Sequence, residues 1–357
     1  MATTPTAQRL RVVQWTTGNV GREAVAAILS HPDLELVGVF AHDPAKVGRD
    51  AAELCGLSSP TGVLATNDVD ALLQLRPDCV VFAALHLDVA QIAQLLRAGI
   101  NVVTSSEFLT GTAAGPDATA QLDDAALAGG ATLFGSGVNP GFAELFAGIS
   151  AGISRDVRSI TVSESADVTM FANDPNFEAV GWGRPRDDPG HAKAVEAATE
   201  VFGDGLDVLA SLVGLTLDER RCTVEFAHAT EDLDIPGMVI ATGHVAGMDV
   251  RWDGIVDGAV RLGIHQRWAI GDRIEPQLPV EFGYVVEVAG DPNVRIKLDL
   301  WPDADLAAMD VDDFRAIGMR IVAVPIVNAI PAVCAGAPGI RTYADLPVIT
   351  TRWAKPS

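Results

Sequence analysis

The stretch Leu10-Arg11-Val12-Val13-Gln14-Trp15-Thr16-Thr17-Gly18-Asn19-Val20-Gly21 decides how this chain is to be read. Its first half is a short apolar run of strand character. From Glu23 to Ser30, Val25, Ile28 and Leu29 fall at helical spacing before His31-Pro32 ends the run. A glycine-rich turn between a buried strand and a helix presents unpaired backbone N–H groups, which suit a pyrophosphate. Gly18 lets the backbone approach that group, and Gly21 lets the helix pack closely on the strand. Thr17, Gly18, Asn19, Val20 and Gly21 are therefore candidate contacts of a dinucleotide. The common glycine pattern would place a glycine at position 15, where this chain has Trp15. Leu34 to Phe40 reads as the next strand and closes a βαβ unit, with Asp43 just beyond it.

The alternation continues. Cys79 to Ala84 reads as a strand, Leu87 to Ala98 as a helix, Asn101 to Thr104 as a strand, Asp117 to Ala128 as a helix and Thr132 to Gly135 as a strand. This predicts an α/β fold with a doubly wound parallel sheet, over residues 1–140, whose ligands sit beyond the carboxyl ends of the strands. Loops carrying Gly18, Ala83, Ala84, Ser105 and Ser136 converge there. After Pro140 come a helix from Phe142 to Ile153, a strand near Ile160 to Ser165, an irregular stretch to Gly190 and a helix through Ala192 to Val213. From Cys222 to Trp301 the pattern alternates. Val260, Leu262, Ile264, Trp268 and Ile270 share a face opposite Arg261, His265 and Arg267, with turns expected at Asp253-Gly254 and Asp257-Gly258. Residues 141–310 are thus a second α/β domain on a mostly antiparallel sheet, suited to substrate binding and to pairing in a homodimer. Residues 311–357 carry an apolar helix, Phe314 to Ala335, expected to return to the first domain.

Composition sets outer limits. The 357 residues suit about two domains. A net charge of -22 argues against nucleic acid, which needs basic side chains to displace its counterions. Four separated cysteines and seven histidines show no metal-ligand spacing, so no metal is expected. The polar stretch from Met1 to Gln8 carries no apolar leader, and no run approaches the ~18 apolar residues of a membrane span. A cytoplasmic protein with no membrane partner is expected.

The turn after the second strand offers groups of two tendencies. Asp43 can accept the ribose hydroxyl of NAD, while His42, Lys46 and Arg49 can meet the 2′-phosphate of NADP, so the cofactor is read as NADP or NAD. Glu107 stands just past the fourth strand, where a carboxylate can hold an ammonium or iminium and take a proton from it. In Gly135-Ser136-Gly137-Val138-Asn139-Pro140-Gly141-Phe142, Asn139 can bond a carboxamide, and Asn328 is a polar residue in an apolar helix that needs a partner. Phe142, Phe171, Phe177 and Trp182 are candidates to wall a small apolar substrate pocket.

Trp15-Thr16-Thr17-Gly18-Asn19-Val20-Gly21, Glu107 and Gly137-Val138-Asn139-Pro140-Gly141-Phe142 together resemble the dihydrodipicolinate reductase-like family that contains diaminopentanoate dehydrogenase and the native amine dehydrogenases. The likeness covers nearly the whole chain. It implies a homodimer with a Rossmann domain that interconverts small amines and carbonyl compounds using NAD(P) and ammonia, with Glu107 as the essential glutamate. Dihydrodipicolinate reductases proper carry a His-His-x-x-Lys segment early in the second domain, and Ile160 to Phe177 contains neither residue type. The expected activity is reductive amination of a small aldehyde or ketone. Reduction of a preformed imine or carbonyl, or catalytically silent NAD(P) sensing, are the alternatives.

Overall fold

The structure is a computed structural model that describes residues 8–171, 178–303, 305 and 308–353. The described parts of Met1–Gly141 and Ala316–Ser357 form one compact unit, and Phe142–Arg315 forms another.

In the first unit, strands β1 (Leu10–Trp15), β2 (Leu34–Phe40), β4 (Cys79–Phe82), β5 (Asn101–Thr104) and β6 (Thr132–Gly135) alternate with helices α1 (Asn19–Ser30), α4 (Val89–Arg97) and α5 (Pro116–Gly129). Short elements fill the β2–β4 crossover: α2 (Ala51–Cys55), β3 (Ala65–Thr66) and α3 (Val69–Gln74). With β16 (Gly339–Arg341) they make a seven-stranded parallel sheet in the order β16-β6-β5-β4-β1-β2-β3. The strands are runs of Val, Leu and Phe buried on both faces, as a helix-covered parallel sheet demands. Asp50, Asp68 and Asp88 cap α2, α3 and α4 by accepting the N–H groups of Ala52, Ala71 and Gln91.

Neither β3 nor β16 is legible in the sequence, and α1 starts at Asn19 rather than Glu23. A long helix, α9 (Val311–Cys334), contributes Ala323, Ile326, Val327, Ala329, Ile330 and Val333 to the buried interior. Arg320 on α9 donates to Glu23 on α1 at 2.8 Å. Contrary to the expectation that no run has membrane length, α9 passes that test by length and hydropathy. Its buried row and its two prolines suit packing inside protein.

In the second unit a mixed seven-stranded sheet runs in the order β13-β8-β11-β12-β7-β14-β15. Its strands are β7 (Arg155–Asp167), β8 (Glu219–Ala229), β11 (Val245–Val256), β12 (Ala259–Ala269), β13 (Ile274–Glu275), β14 (Gly283–Asp291) and β15 (Val294–Leu298). Only the central β7–β12 pair is parallel. Strands β9 (Leu233–Ile235) and β10 (Met238–Ile240) form a separate ribbon. Ile160, Val162, Ile264, Trp268, Met248, Val250 and Val286 on the inner face join Ala143, Ala147, Leu206 and Leu209 of helices α6 (Ala143–Ala151) and α8 (Glu200–Val213) in one core.

Three expectations need correction. The helix through Ala192 to Val213 is two helices, α7 (His191–Ala198) and α8, parted at Thr199. The Thr199 hydroxyl back-bonds to the Val195 carbonyl at 2.8 Å and accepts from Trp252 Nε1 at 3.1 Å, so it competes with the helical ladder. Asp253-Gly254 is no turn but lies inside β11, whereas Asp257-Gly258, with φ of 53° and 72°, makes the two-residue hairpin loop to β12. Val260 is 44% exposed, because the register shifts by one residue beside it, between Gly254 and Ile255.

Candidate functional site

Every loop that leaves a carboxyl end of β1, β4, β5 and β6 is tied to the next. Trp15 ends β1 as a core residue, 1% exposed and stacked on Phe40 with ring centroids 4.1 Å apart. The departure from the glycine pattern that matters is the next residue. Thr16 has φ of 74°, a left-handed conformation that disfavours β-branched side chains and that the first glycine of a dinucleotide loop normally supplies. Two side chains hold it there. Thr16 Oγ1 donates to the Ala83 carbonyl at 2.9 Å, and the buried Gln14 Nε2 donates to the carbonyls of Trp15 and Thr16, each at 3.1 Å. A Cβ on Gly21 would stand 2.4 Å from the Thr16 carbonyl oxygen, so that position admits only glycine. Thr16→Val keeps the strain and loses the hydroxyl, and is expected to cost about 1 kcal/mol in urea denaturation. Thr16→Gly relieves about 1–2 kcal/mol of strain while losing the same bond, and should be neutral to within about 1 kcal/mol. A Val variant as stable as the native chain contradicts this account of the loop.

The loop opens on the start of α1. Gly18 occupies the cap position, no side chain caps the helix, its first turn has no acidic residue, and the space above Gly18 is open. The exposed N–H groups and the helix dipole suit a pyrophosphate, whereas the capped starts of α2, α3 and α4 do not. Thr17 is buried, and Asn19 and Val20 lead into α1.

Past β2, Asp43 Oδ1 accepts from the Ala45 N–H at 2.9 Å and so caps the 3-10 turn Pro44–Lys46. Its other carboxylate oxygen can still take a ribose hydroxyl. Lys46 Nζ reaches back to the Thr17 hydroxyl at 3.2 Å, which sets an ammonium against the loop. Arg49 pairs with Glu53 at 2.9 Å, and His42 stands edge-on to Phe40. Of the basic groups read from sequence, Lys46 is the one whose ammonium lies against the glycine-rich loop.

Past β4 and β5 the same linkage holds. Thr104 Oγ1 donates to the Phe82 carbonyl at 2.9 Å, and Ser106 Oγ to the Ala84 carbonyl at 2.5 Å. Ala83 and Ser105 sit in these turns. Glu107 is exposed between buried Ser106 and Phe108, and its φ of 47° is again left-handed. Such strain in a non-glycine residue persists where the surroundings over-determine it. Here they are the Phe108 and Leu109 side chains, 1% and 4% exposed. Beyond β6, Ser136 N donates to the Thr104 carbonyl at 3.0 Å and Ser136 Oγ meets Tyr343 Oη at 2.8 Å. Asn139 follows, half-buried, and Asn328 lies half-buried on α9.

The structure therefore brings the loops of Gly18, Ala83, Ala84, Ser105 and Glu107 together at one edge of the first sheet. The residues fit a nicotinamide dinucleotide: an open helix start, a turn with groups for the ribose, and a carboxylate on the same sheet edge. Gln14, Thr16 and Ser106 do supporting work that no spacing rule announces. Of the four aromatics, Phe142 and Phe171 are half-buried in the second unit, Trp182 is packed into that unit's core at 7% exposure, and Phe177 lies outside the described residues. Core packing, not a pocket wall, is what the structure gives for Trp182. Among the described residues no cluster suits a metal.

Comparison with known proteins places the two halves in related families. Residues 12–126 match the model for the dihydrodipicolinate reductase N-terminus, and residues 149–355 match the 2,4-diaminopentanoate dehydrogenase C-terminal domain. The chain is 30% identical to an amine dehydrogenase of Streptomyces virginiae across 95% of its own length and 96% of that protein. It is 24% identical to the 2,4-diaminopentanoate dehydrogenase of Acetoanaerobium sticklandii across 96% of its length and 94% of that protein. The solved structure of an amine dehydrogenase from Mycobacterium smegmatis superposes with a TM-score of 0.75 at 23% identity, covering 98% of this chain and 99% of that one, which is a likeness of fold.

Proposed function

The chain belongs to the 2,4-diaminopentanoate dehydrogenase family, and on that premise we propose that it catalyses NAD(P)-dependent reductive amination of a small aldehyde or ketone with ammonia, and the reverse oxidation of a primary amine. It is an NAD(P)-dependent oxidoreductase acting on amines; the partnership with ammonia is the finer part of the proposal. One observation carries it: an uncapped helix start at Gly18 and an exposed, conformationally constrained carboxylate at Glu107 stand on the same edge of one parallel sheet.

The bound nicotinamide supplies the hydride that reduces an iminium carbon, or accepts it from an amine carbon. The backbone N–H groups of the Gly18 loop hold the pyrophosphate, Asp43 and Lys46 meet the adenosine ribose, and Asn139 and Asn328 are placed in sequence to bond the carboxamide. Glu107 holds the positive nitrogen by charge. In the oxidative direction it first takes a proton from the ammonium, freeing the lone pair that forms the C=N bond as hydride departs. Water then adds to the iminium carbon and ammonia leaves. A cytoplasmic homodimer accompanies this reading, supported by four free thiols and by the charged outer face of the second sheet.

The test is NADH and NADPH consumption across a panel of small aldehydes and ketones, with and without ammonium chloride. Consumption that requires ammonium is expected. Equal rates without it would assign carbonyl reduction instead, and tight dinucleotide binding with no consumption would assign a sensor.

A further inference from the structure

Cys79 opens β4, the central strand of the first sheet, between Val12 of β1 and Asn101 of β5, and is wholly buried. Cys334 is the last residue of α9 and is half-buried. Far apart in sequence, the two thiols meet within one compact unit. Cys334 Sγ donates to the Asp78 carbonyl at 3.7 Å, the peptide that leads directly into Cys79, while Cys79 Sγ donates to the Val80 carbonyl at 3.7 Å. Burial pushes the Cys79 thiol well above its ordinary range, and the Cys334 thiol, its hydrogen-bond partner, pushes it further. Pro331, in the last turn of α9, has no N–H to give to the helical ladder, so that end of the helix depends on side-chain packing for its position.

The other two cysteines are placed differently. Cys55 ends α2 near Arg22, Lys46 and Glu23, and Cys222 lies in β8 near Glu196, Thr199 and Asp253. Burial raises their thiols to about 11 and about 12, which keeps them neutral and poorly nucleophilic. All four thiols are free. What sets Cys334 apart is that a thiol only half-buried has a second, fully buried thiol as its neighbour. That is the arrangement in which an attack from solvent on the first sulfur can be completed by the second.

We propose that Cys79 and Cys334 are a redox-active pair that a small-molecule disulfide closes to a protein disulfide, stapling the end of α9 to β4. The Cys334 thiolate attacks one sulfur of the small disulfide and expels the other as a thiolate, which leaves a mixed disulfide on Cys334. The Cys79 sulfur, giving up its proton, then attacks Cys334 Sγ and expels the second small thiolate. Two protein thiols are oxidised, one small disulfide is reduced to two thiols, and the two protons the protein loses pass to them. The staple closes a loop that contains all of Phe142–Arg315, so it restrains the unfolded chain far more than the folded one. No nicotinamide or amine takes part, and the pair stands whether or not the chain aminates carbonyl compounds.

Incubation of the full chain with oxidised glutathione, followed by removal of the reagent and a thiol count in guanidinium, tests this. The count is expected to fall from the four cysteines of the sequence to the two that remain after one bond forms, and to recover with dithiothreitol. Peptide mass spectrometry should show Cys79 joined to Cys334, and closure should raise the melting temperature by at least about 5 °C. Cys334→Ser should show neither the loss of thiols nor the rise. Cys79→Ala removes the second thiol, so Cys334 should stop at a stable glutathione adduct, a mass change that reads out whatever the substitution does to stability. A thiol count unchanged by oxidation, a native chain that stops at the glutathione adduct, or a bond joining any other two cysteines overturns the pair. A Cys79–Cys334 bond that leaves the melting temperature unchanged or lower means the sulfurs meet only by distorting the native chain, and overturns the staple.

Discussion

Glu107→Gln is expected to lower kcat for amine oxidation by about 10²–10⁴-fold while leaving the Kd for NADH and NADPH within about twofold of the native value. Glu107 is held at φ of 47° between Ser106, whose hydroxyl is bonded to the Ala84 carbonyl, and Phe108, whose ring is buried. Neither anchor involves the Glu107 carboxylate, so glutamine inherits the same position and nearly the same shape. What is lost is one negative charge and one base. If the charge stabilises the iminium and the base takes the ammonium proton, both contributions vanish together. The pyrophosphate contacts proposed for the Gly18 loop follow a different strand, so the substitution leaves them untouched. Stopped-flow reduction of NAD(P)⁺ and fluorescence titration of NADH separate the two quantities. A variant that keeps a tenth or more of the native rate, or that loses rate and dinucleotide affinity in equal measure, removes Glu107 from the chemistry. Glu107→Asp keeps the charge but shortens the reach, and is expected to fall between the two.

Much of the first unit was legible because its strands are short, apolar and bounded by turn residues: β1, β2, β5 and β6 lie where periodicity puts them. The two edge strands were not. Ala65–Thr66 is too short to show a period, and Gly339–Arg341 gains its identity only from pairing with β6, some two hundred residues earlier in the chain. In the second unit Val260 is exposed by a one-residue register shift that no periodicity shows, and two polar positions depart from what their local sequence suggests. Asp253-Gly254 resembles a turn, but its neighbours in β8 and β12 complete the ladder on both sides and keep it extended. Thr199 resembles an ordinary helical residue until Trp252, from a distant strand, offers its indole N–H. At the candidate site, the sequence marked Gly18, Gly21 and Glu107 through spacing alone. The strained Thr16 carries no such mark, because its φ depends on Gln14 and Ala83 rather than on its neighbours in sequence.

Gly135→Ala is the substitution expected to damage the first unit most. A Cβ at this position, the last residue of β6, would lie 1.7 Å from the Phe108 carbonyl oxygen and 2.6 Å from the carbonyl carbon. Both atoms are backbone, so no rotamer change relieves the clash. Either β6 moves away from β5, breaking the parallel pairing of Thr104 with Gly135, or the Phe108 peptide retreats. The second route is opposed by the Phe108 ring, which is 1% exposed in the core with Ile92, Leu122 and Leu133. Overpacking against fixed backbone should cost about 3 kcal/mol, near the upper end for a single substitution. For a unit of this size that corresponds to a fall in melting temperature of about 10 °C. Because Glu107 precedes Phe108 directly, any retreat of that peptide also turns the carboxylate, so residual folded protein should lose amine turnover beyond its loss of stability. Gly137→Ala is the control from the same loop: its Cβ would meet nothing closer than 3.7 Å, and its backbone lies outside the left-handed region. It should change stability by less than about 1 kcal/mol, with the sign set by the reduced freedom of the unfolded chain. Thermal denaturation followed by circular dichroism distinguishes the pair. Equal melting temperatures for the two variants would mean that β6 and the Glu107 turn do not approach as closely as described, and the constraint on the Glu107 carboxylate would have to come from elsewhere.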